Sequence, residues 1–420
     1  MKPLSTFAER FTRSSGISDL MHDLNEAISS HDPNVCMLGG GNPAIIPAAM
    51  DVFRKEYQHL LDSQALDQSL AYYSSPQGDL TFIEILCEFF NDHYGWQISP
   101  KNIALSNGSQ NSFFYLFNTF AGDMADGKKK KILFPLAPEY IGYRDLGLSD
   151  DMFIAVKPSI EQLTNGQFKY HIDFDALTIS DDIAAICVSR PTNPTGNVIS
   201  DDELNTLDKL AQQHNIPLII DNAYGLPFPG TIYTDTKIQW HNNLVLGLSL
   251  SKLGLPGVRT GIIIAEESLI RTISSMNGTL CLAPNNMGAS LVSRLIQSKE
   301  ILTLRDTVIR PFYEHKMHQA IQWANTLFCD ITVYTHKPEG AFFLWLWFPD
   351  LTISTKALYQ ILKDRKVYII PGEDFFIGID QHWAHQYQCI RINYALSDEQ
   401  LKRGLKIIAE EVKKHSYHKI

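Results

Sequence analysis

Between about residues 100 and 265, short apolar runs alternate with stretches whose apolar residues recur at helical spacing. No other feature constrains the fold as strongly, because strand–helix alternation at this spacing predicts crossover units and a mainly parallel sheet. The runs Ile132–Pro135, Ala184–Ser189, Ile216–Ile220 and Gly261–Ala265 are almost wholly apolar. Strands of that kind are buried on both faces, so helices must cover both sides of the sheet. The fold class is α/β, and a chain of 420 residues would ordinarily divide into two domains.

Polar residues stand just beyond several of these runs. Asn193-Pro194-Thr195-Gly196 follows the first long run, Asp221 ends the next with Tyr224 three residues on, and Ser249-Leu250-Ser251-Lys252 precedes a Pro256-Gly257 turn and Arg259. Ligands of open α/β sheets lie beyond the carboxyl ends of strands, so Asn193, Asp221 and Lys252 can converge on one crevice. A lysine beside hydroxyls and a guanidinium is suited to a Schiff base with the aldehyde of a phosphate-bearing cofactor. The hydroxyls and the arginine hold phosphate, and the neighbouring cation eases deprotonation of the amine. That describes an anchor for pyridoxal 5'-phosphate. The plainer readings are a surface Ser-Lys loop, an ordinary Asn-Pro-Thr-Gly turn, a helix-capping Asp and a core Tyr.

Further candidates follow from position. Gly108, Ser109 and Gln110 precede the apolar-faced stretch Asn111–Phe120, and a helix N-terminus there would receive a phosphate or simply be capped. Arg391 lies inside the strand-like run Cys389–Tyr394, where a lone charge is costly; a substrate carboxylate would explain it, as would a solvent-facing edge strand. Gly39, Gly40 and Gly41 permit close backbone approach to a substrate, or make a turn.

Composition excludes several classes. The net charge of −10 supplies no basic field for nucleic acid or an anionic membrane. The basic run Lys128–Lys131 reads as a solvated turn. Six cysteines at 36, 87, 187, 281, 329 and 389 form no CxxC pair, which implies a reducing, cytoplasmic compartment and no structural metal. The first ten residues lack the apolar core of a signal peptide, and no apolar run approaches the roughly 20 residues of a membrane span. Beyond the strand–helix alternation, Met287–Phe328 reads as helical with a break near Pro311. Phe342–Phe348, Val367–Pro371 and Cys389–Tyr394 read as strands, and Lys356–Lys366 and Asp398–Lys414 as helices.

Taken in order, Asn193-Pro-Thr-Gly, Asp221-x-x-Tyr224, Ser249-x-Ser-Lys252 and Arg259 resemble the diagnostic positions of fold-type I pyridoxal phosphate-dependent aminotransferases. The longer strings Met37–Pro43, Leu105–Gln110, Leu133–Tyr143, Ser189–Gly196 and Lys337–Trp347 resemble the branch of that family acting on valine and alanine. The resemblance covers nearly the whole chain. It implies a cofactor domain with a mainly parallel seven-stranded sheet over residues 56–300, and a smaller α+β domain from residues 1–55 and 301–420.

By the same resemblance, Lys252 is the Schiff-base lysine and the proton shuttle, Asp221 faces the pyridine nitrogen, and Asn193 and Tyr224 bond the ring's phenolic oxygen. Tyr140 stacks on the ring, while Ser249 and Arg259 join Gly108, Ser109 and Gln110 around the phosphate. Arg391, with Gly40, Gly41 and Asn193, takes the substrate carboxylate. Tyr73 reaches the phosphate in a neighbouring subunit, which implies a homodimer with shared sites. The implied reaction is ping-pong transamination between an amino acid, valine, and a 2-oxo acid, pyruvate; Ile45-Ile46-Pro47 could line the side-chain pocket or form a turn. Two features depart from the family pattern. Arg259 follows Lys252 by seven residues where many relatives have eight, and Arg190 replaces a smaller polar residue, either adding a charge near the cofactor or pairing with a surface carboxylate. A broad or aromatic aminotransferase, a C–S lyase or cyclopropane synthase on this fold, and a non-catalytic effector domain are the other outcomes to test.

Overall fold

The computed structural model describes residues 3–12, 23 and 32–417, so much of the N-terminal segment 1–31 lies outside the described residues. The strands are β1 (Ile103–Ser106), β2 (Gly122–Asp123), β3 (Lys129–Phe134), β4 (Phe153–Ala155), β5 (Ser159–Gln162), β6 (Gln167–His171) and β7 (Ile183–Ser189). They continue with β8 (Leu218–Asp221), β9 (Leu244–Ser249), β10 (Gly261–Ile264), β11 (Tyr334–His336), β12 (Phe343–Trp347), β13 (Ile370–Pro371) and β14 (Cys389–Asn393). The main sheet runs β1-β10-β9-β8-β7-β3, with both β2 and β4 pairing along β3. Neighbours β4, β3, β7, β8 and β9 are parallel, while β10 and the two-residue β2 run against them. The mainly parallel sheet therefore has the expected seven strands plus the short β2.

Both faces of this sheet are covered, as its apolar strands require. Along β7, Ala185 and Cys187 join the core beneath the helix Ser109–Phe120, while Ile186 and Val188 join the larger core on the opposite face. Residues of β8 divide in the same way, Ile219 to one core and Leu218 and Ile220 to the other.

A second sheet has the order β13-β14-β12-β11-β6-β5, so two strands from the middle of the chain pair with strands near its end. Cys36 bridges to Val367, and the Asn393 N–H donates to the Leu38 carbonyl at 2.7 Å. These bonds lay the Gly39–Gly41 segment against β14, the strand that carries Arg391.

Three local expectations need correction. Lys129–Lys131 open β3 rather than a turn, since strand pairing with β2 and β7 extends over them; their ammonium groups reach Asp123 and Asp182. The break in Met287–Phe328 falls at Ser298–Lys299, where Lys299 adopts φ 62. Pro311 sits in a continuing helix, behind a π-helical turn at Arg305–Ile309 in which the Arg310 N–H bonds the Arg305 carbonyl. Val367–Pro371 shrinks to the paired residues Ile370–Pro371. The closing helix spans Asp398–Lys414 as the periodicity predicts, capped by the Ser397 side chain.

Candidate active site

The carboxyl ends of β7, β8 and β9 open into a cavity of about 210 Å³. Ser189, Asp221 and Gly247 are aligned across these three strands, so β8 delivers Asp221 to the crevice by register alone. Asp221 Oδ2 accepts from the Tyr143 hydroxyl at 2.5 Å and Oδ1 from the Ala223 N–H at 2.9 Å. Burial raises the carboxyl above its ordinary range, against the Tyr143 and Ala223 bonds and the Lys252 charge.

Lys252 lies on a 3-10 turn, Ser251–Leu253, in the loop that turns the chain from β9 into the antiparallel β10. Its Nζ donates to the Gly41 carbonyl at 2.8 Å and lies 5.3 Å from the centroid of the Tyr224 ring. Burial brings the amine down to about 8, with Arg391 and Arg259 adding to the effect and Asp221 opposing it. A neutral, nucleophilic amine is thus accessible near physiological pH.

Arg391 is 2 % exposed in the middle of β14. Nη1 donates to Asn193 Oδ1 and Nη2 to the Gly39 carbonyl, each at 2.7 Å, and the guanidinium carbon lies 4.2 Å from the Phe343 ring centroid. Burial lowers this group to about 10. Its Nε has no hydrogen-bond partner among the described residues, and neither does the buried Tyr224 hydroxyl. A guanidinium Nε and a phenol left unsatisfied beside a cavity are partners for a ligand, since burying them alone is costly.

At the other end, Gly108 caps the helix Ser109–Phe120 with φ 96, exposing its first N–H groups. Arg259 leans over this terminus so closely that a Cβ on Gly108 would lie 2.2 Å from Nη2. The guanidinium is exposed and makes only long bonds of 3.4 Å to the Pro256 and Asn107 carbonyls. Ser109, Gln110 and Ser251 complete this anion-binding end.

Of the residues expected here, Lys252, Asp221, Tyr224, Asn193, Tyr140, Ser109, Gln110, Arg259, Arg391 and Gly41 line the one cavity, with Gly39 beside them. Gly108 supports it from the helix cap. Ser249 does not line it: the last paired residue of β9, it is fully buried and its hydroxyl accepts the Ser251 N–H. Gly40 turns its carbonyl to Asn393 Nδ2 at 2.9 Å. Tyr73 is 83 % exposed and lines a separate cleft with Glu56 and Arg294, and Ile45 is equally exposed, outside the cavity. Arg190 is buried with bonds to Asp201 Oδ1, the Ile199 carbonyl and the Lys237 carbonyl, so of its two readings the pairing with a carboxylate holds. Residue reasoning missed Ser251, Tyr143 and Glu139. The last two stand either side of Tyr140 just after a buried strand, and an acidic residue in that position was the available signal.

A ligand filling this cavity would meet an anion site, a carboxylate opposite a basic nitrogen, a phenol, and an amine able to attack a carbonyl. Pyridoxal 5'-phosphate carries each complementary group, and the two unsatisfied donors and the glycine cradle fit it. Comparison with known proteins agrees. The model of the family "aminotransferase class I and II" matches residues 33–408. The valine–pyruvate aminotransferase of Escherichia coli K12 is 51% identical over 98% of both chains. The crystal structure of the valine-pyruvate aminotransferase of Salmonella typhimurium LT2 superposes with a TM-score of 0.88 at 49% identity, covering 95% of this chain and 99% of that one. A Psychrobacter arcticum 273-4 protein, provisionally assigned as an amino-acid aminotransferase, gives a TM-score of 0.96 at 46% identity over 99% of both chains. The chain therefore belongs to the class I and II aminotransferases, and pyridoxal 5'-phosphate is its cofactor.

Proposed function

We propose that this enzyme exchanges an amino group between L-valine and pyruvate, giving 3-methyl-2-oxobutanoate and L-alanine. The observation that carries the reading is the 51% identity, over 98% of both chains, to the Escherichia coli protein of that activity. The cavity supports it. Its cationic lining residues are Lys252, Arg259 and Arg391, each with a role toward cofactor or α-carboxylate, while Ile141 and Ile370 present apolar surface. An aliphatic side chain fits that lining better than a second carboxylate.

When bound, the cofactor supplies a carbonyl to receive the amino group and a protonated ring to withdraw electrons from the substrate Cα. Asp221 holds the proton on that ring nitrogen. Arg391 and Asn193 orient the α-carboxylate, which places the Cα–H bond near Lys252. The neutral Nζ of Lys252 accepts the Cα proton and passes it on. One site serves both half-reactions, so kinetics are ping-pong.

A homodimer in which the exposed Tyr73 reaches the neighbouring subunit's phosphate belongs to the same reading, as does a reducing, cytoplasmic setting. So does a cofactor domain over residues 56–300 with a smaller one from 1–55 and 301–420, β5 and β6 extending the sheet of the latter. The test is the visible absorbance of the purified protein with L-valine and then pyruvate. The cofactor band should fall and return. Faster consumption of aspartate or an aromatic amino acid than of valine would reject the substrate while leaving the cofactor claim standing.

A further inference from the structure

Arg391 is a buried cation that pairs with no carboxylate among the described residues. Its two hydrogen bonds go to neutral oxygens, Asn193 Oδ1 and the Gly39 carbonyl. A buried charge needs support, and here aromatic rings supply it. The guanidinium carbon lies over the Phe343 ring, 4.2 Å from its centroid, and 5.4 Å from the centroid of Phe375. Both rings are fully buried. Strand register brings Phe343 to this place. In the β12–β14 ladder Phe343 is opposite Asn393 and Trp345 opposite Arg391, so Phe343 is the diagonal neighbour of Arg391 on one face of the sheet. Phe375 meets Trp345 edge to face, and the Trp345 Nε1 donates to the Tyr170 hydroxyl at 3.0 Å.

We propose that Phe343 is a positioning residue for substrate recognition: its ring lies against the Arg391 guanidinium and keeps the fork aimed at the α-carboxylate without neutralising its charge. The inference rests on the reading of Arg391 as the α-carboxylate site. Bonds from Nη1 and Nη2 alone leave the guanidinium free to pivot about the line joining those two nitrogens. A ring under its face stops that pivot, which hydrogen bonds in the plane of the fork do not. An acidic residue in the same place would hold the fork as firmly, but it would pair with the charge that the substrate must meet, and an incoming carboxylate would have to displace it. An aliphatic residue would leave the charge intact but lacks the negative face that attracts a guanidinium.

Two aminooxy probes separate carboxylate recognition from the rest of the site. Aminooxyacetate carries a carboxylate and methoxyamine does not, while both attack the cofactor's carbonyl carbon through the same kind of nitrogen. The ratio of their rate constants, followed by the visible absorbance of the holoenzyme, therefore reads what Arg391 contributes. Wild-type protein should favour aminooxyacetate, and Arg391→Lys should remove most of that preference. Phe343→Leu should lower the ratio about tenfold, and with valine and pyruvate it should raise KM more than it lowers kcat. Phe343→Tyr, which keeps the ring, should hold the ratio. Should Phe343→Leu fail to fold, Phe343→Met carries the same expectation with more of the volume kept. A ratio lowered as far by tyrosine as by leucine would make packing the cause and overturn the proposal. A wild-type preference kept in full by Phe343→Leu would sink this inference alone. A wild-type protein without the preference would remove Arg391 from the carboxylate site, and the reading beneath the inference would fall first.

Discussion

Lys252 shows how one side chain is made reactive without a dedicated base. Its charged form loses hydration on burial and faces the Arg391 and Arg259 guanidinium groups, so the neutral amine is half populated near pH 8 instead of 10.5. Because the shift is downward, reactivity is gained as pH rises through that value. The rate at which apoprotein captures pyridoxal phosphate should climb with pH and level off by about pH 9; a rate still rising like that of a free lysine would refute the shift. Lys252→Ala should lower transamination by at least about 1,000-fold while the protein still folds, checked by steady-state rates alongside circular dichroism. Arg391 is held by Asn193 and Gly39 yet keeps a free Nε. Arg391→Lys removes the fork, and KM for valine and pyruvate should rise about a hundredfold, equivalent to losing about 3 kcal/mol of charge-assisted bonding. An unchanged KM would move the carboxylate site elsewhere.

Among the elements, the pairing of helix terminus and hairpin loop governs the phosphate end. Helix Ser109–Phe120 starts at Gly108 because only glycine accepts φ 96 without strain, and its lack of a Cβ leaves the space that the Arg259 guanidinium occupies. Arg259 itself sits at φ 46, a conformation imposed by the tight return from Lys252 into β10. The shortened spacing between Lys252 and Arg259 is thus accommodated by a left-handed residue. Gly108→Ala should displace the guanidinium and weaken retention of pyridoxal phosphate about tenfold, measured by equilibrium dialysis. Equal retention would mean that Arg259 contributes nothing to the phosphate.

For the whole molecule, the separation of Tyr73 from the cavity is the informative fact. Tyr72 and Tyr73 are strongly exposed beside Leu70, an arrangement that a second subunit would cover. If sites are shared, Lys252→Ala and Tyr73→Phe chains mixed together should recover activity that neither has alone, because one site of each mixed dimer then holds both intact residues. Mixtures no more active than their components would leave each subunit to work by itself.

The chain's own order of residues determined the α/β class, the parallel sheet and the identities of Asn193, Asp221, Tyr224, Lys252, Arg259 and Arg391. Each of these follows an apolar run or interrupts one, and a polar group at a buried strand end leaves a mark in one dimension. Tertiary structure decided what depends on contacts between distant segments. Ser251 rather than Ser249 faces the cavity, because the pairing of Ser249 with Gly261 buries its side chain. Arg190 turns to Asp201, and the segment at Cys36–Gly41 reaches β14 through bonds to Lys366 and Asn393. Glu139 follows a proline just after a buried strand, and no local pattern states how deeply it is buried. The assembled fold leaves it 1 % exposed with Ser189 as its side-chain hydrogen-bond partner, because burial is a property of the assembled core and not of any local stretch of sequence.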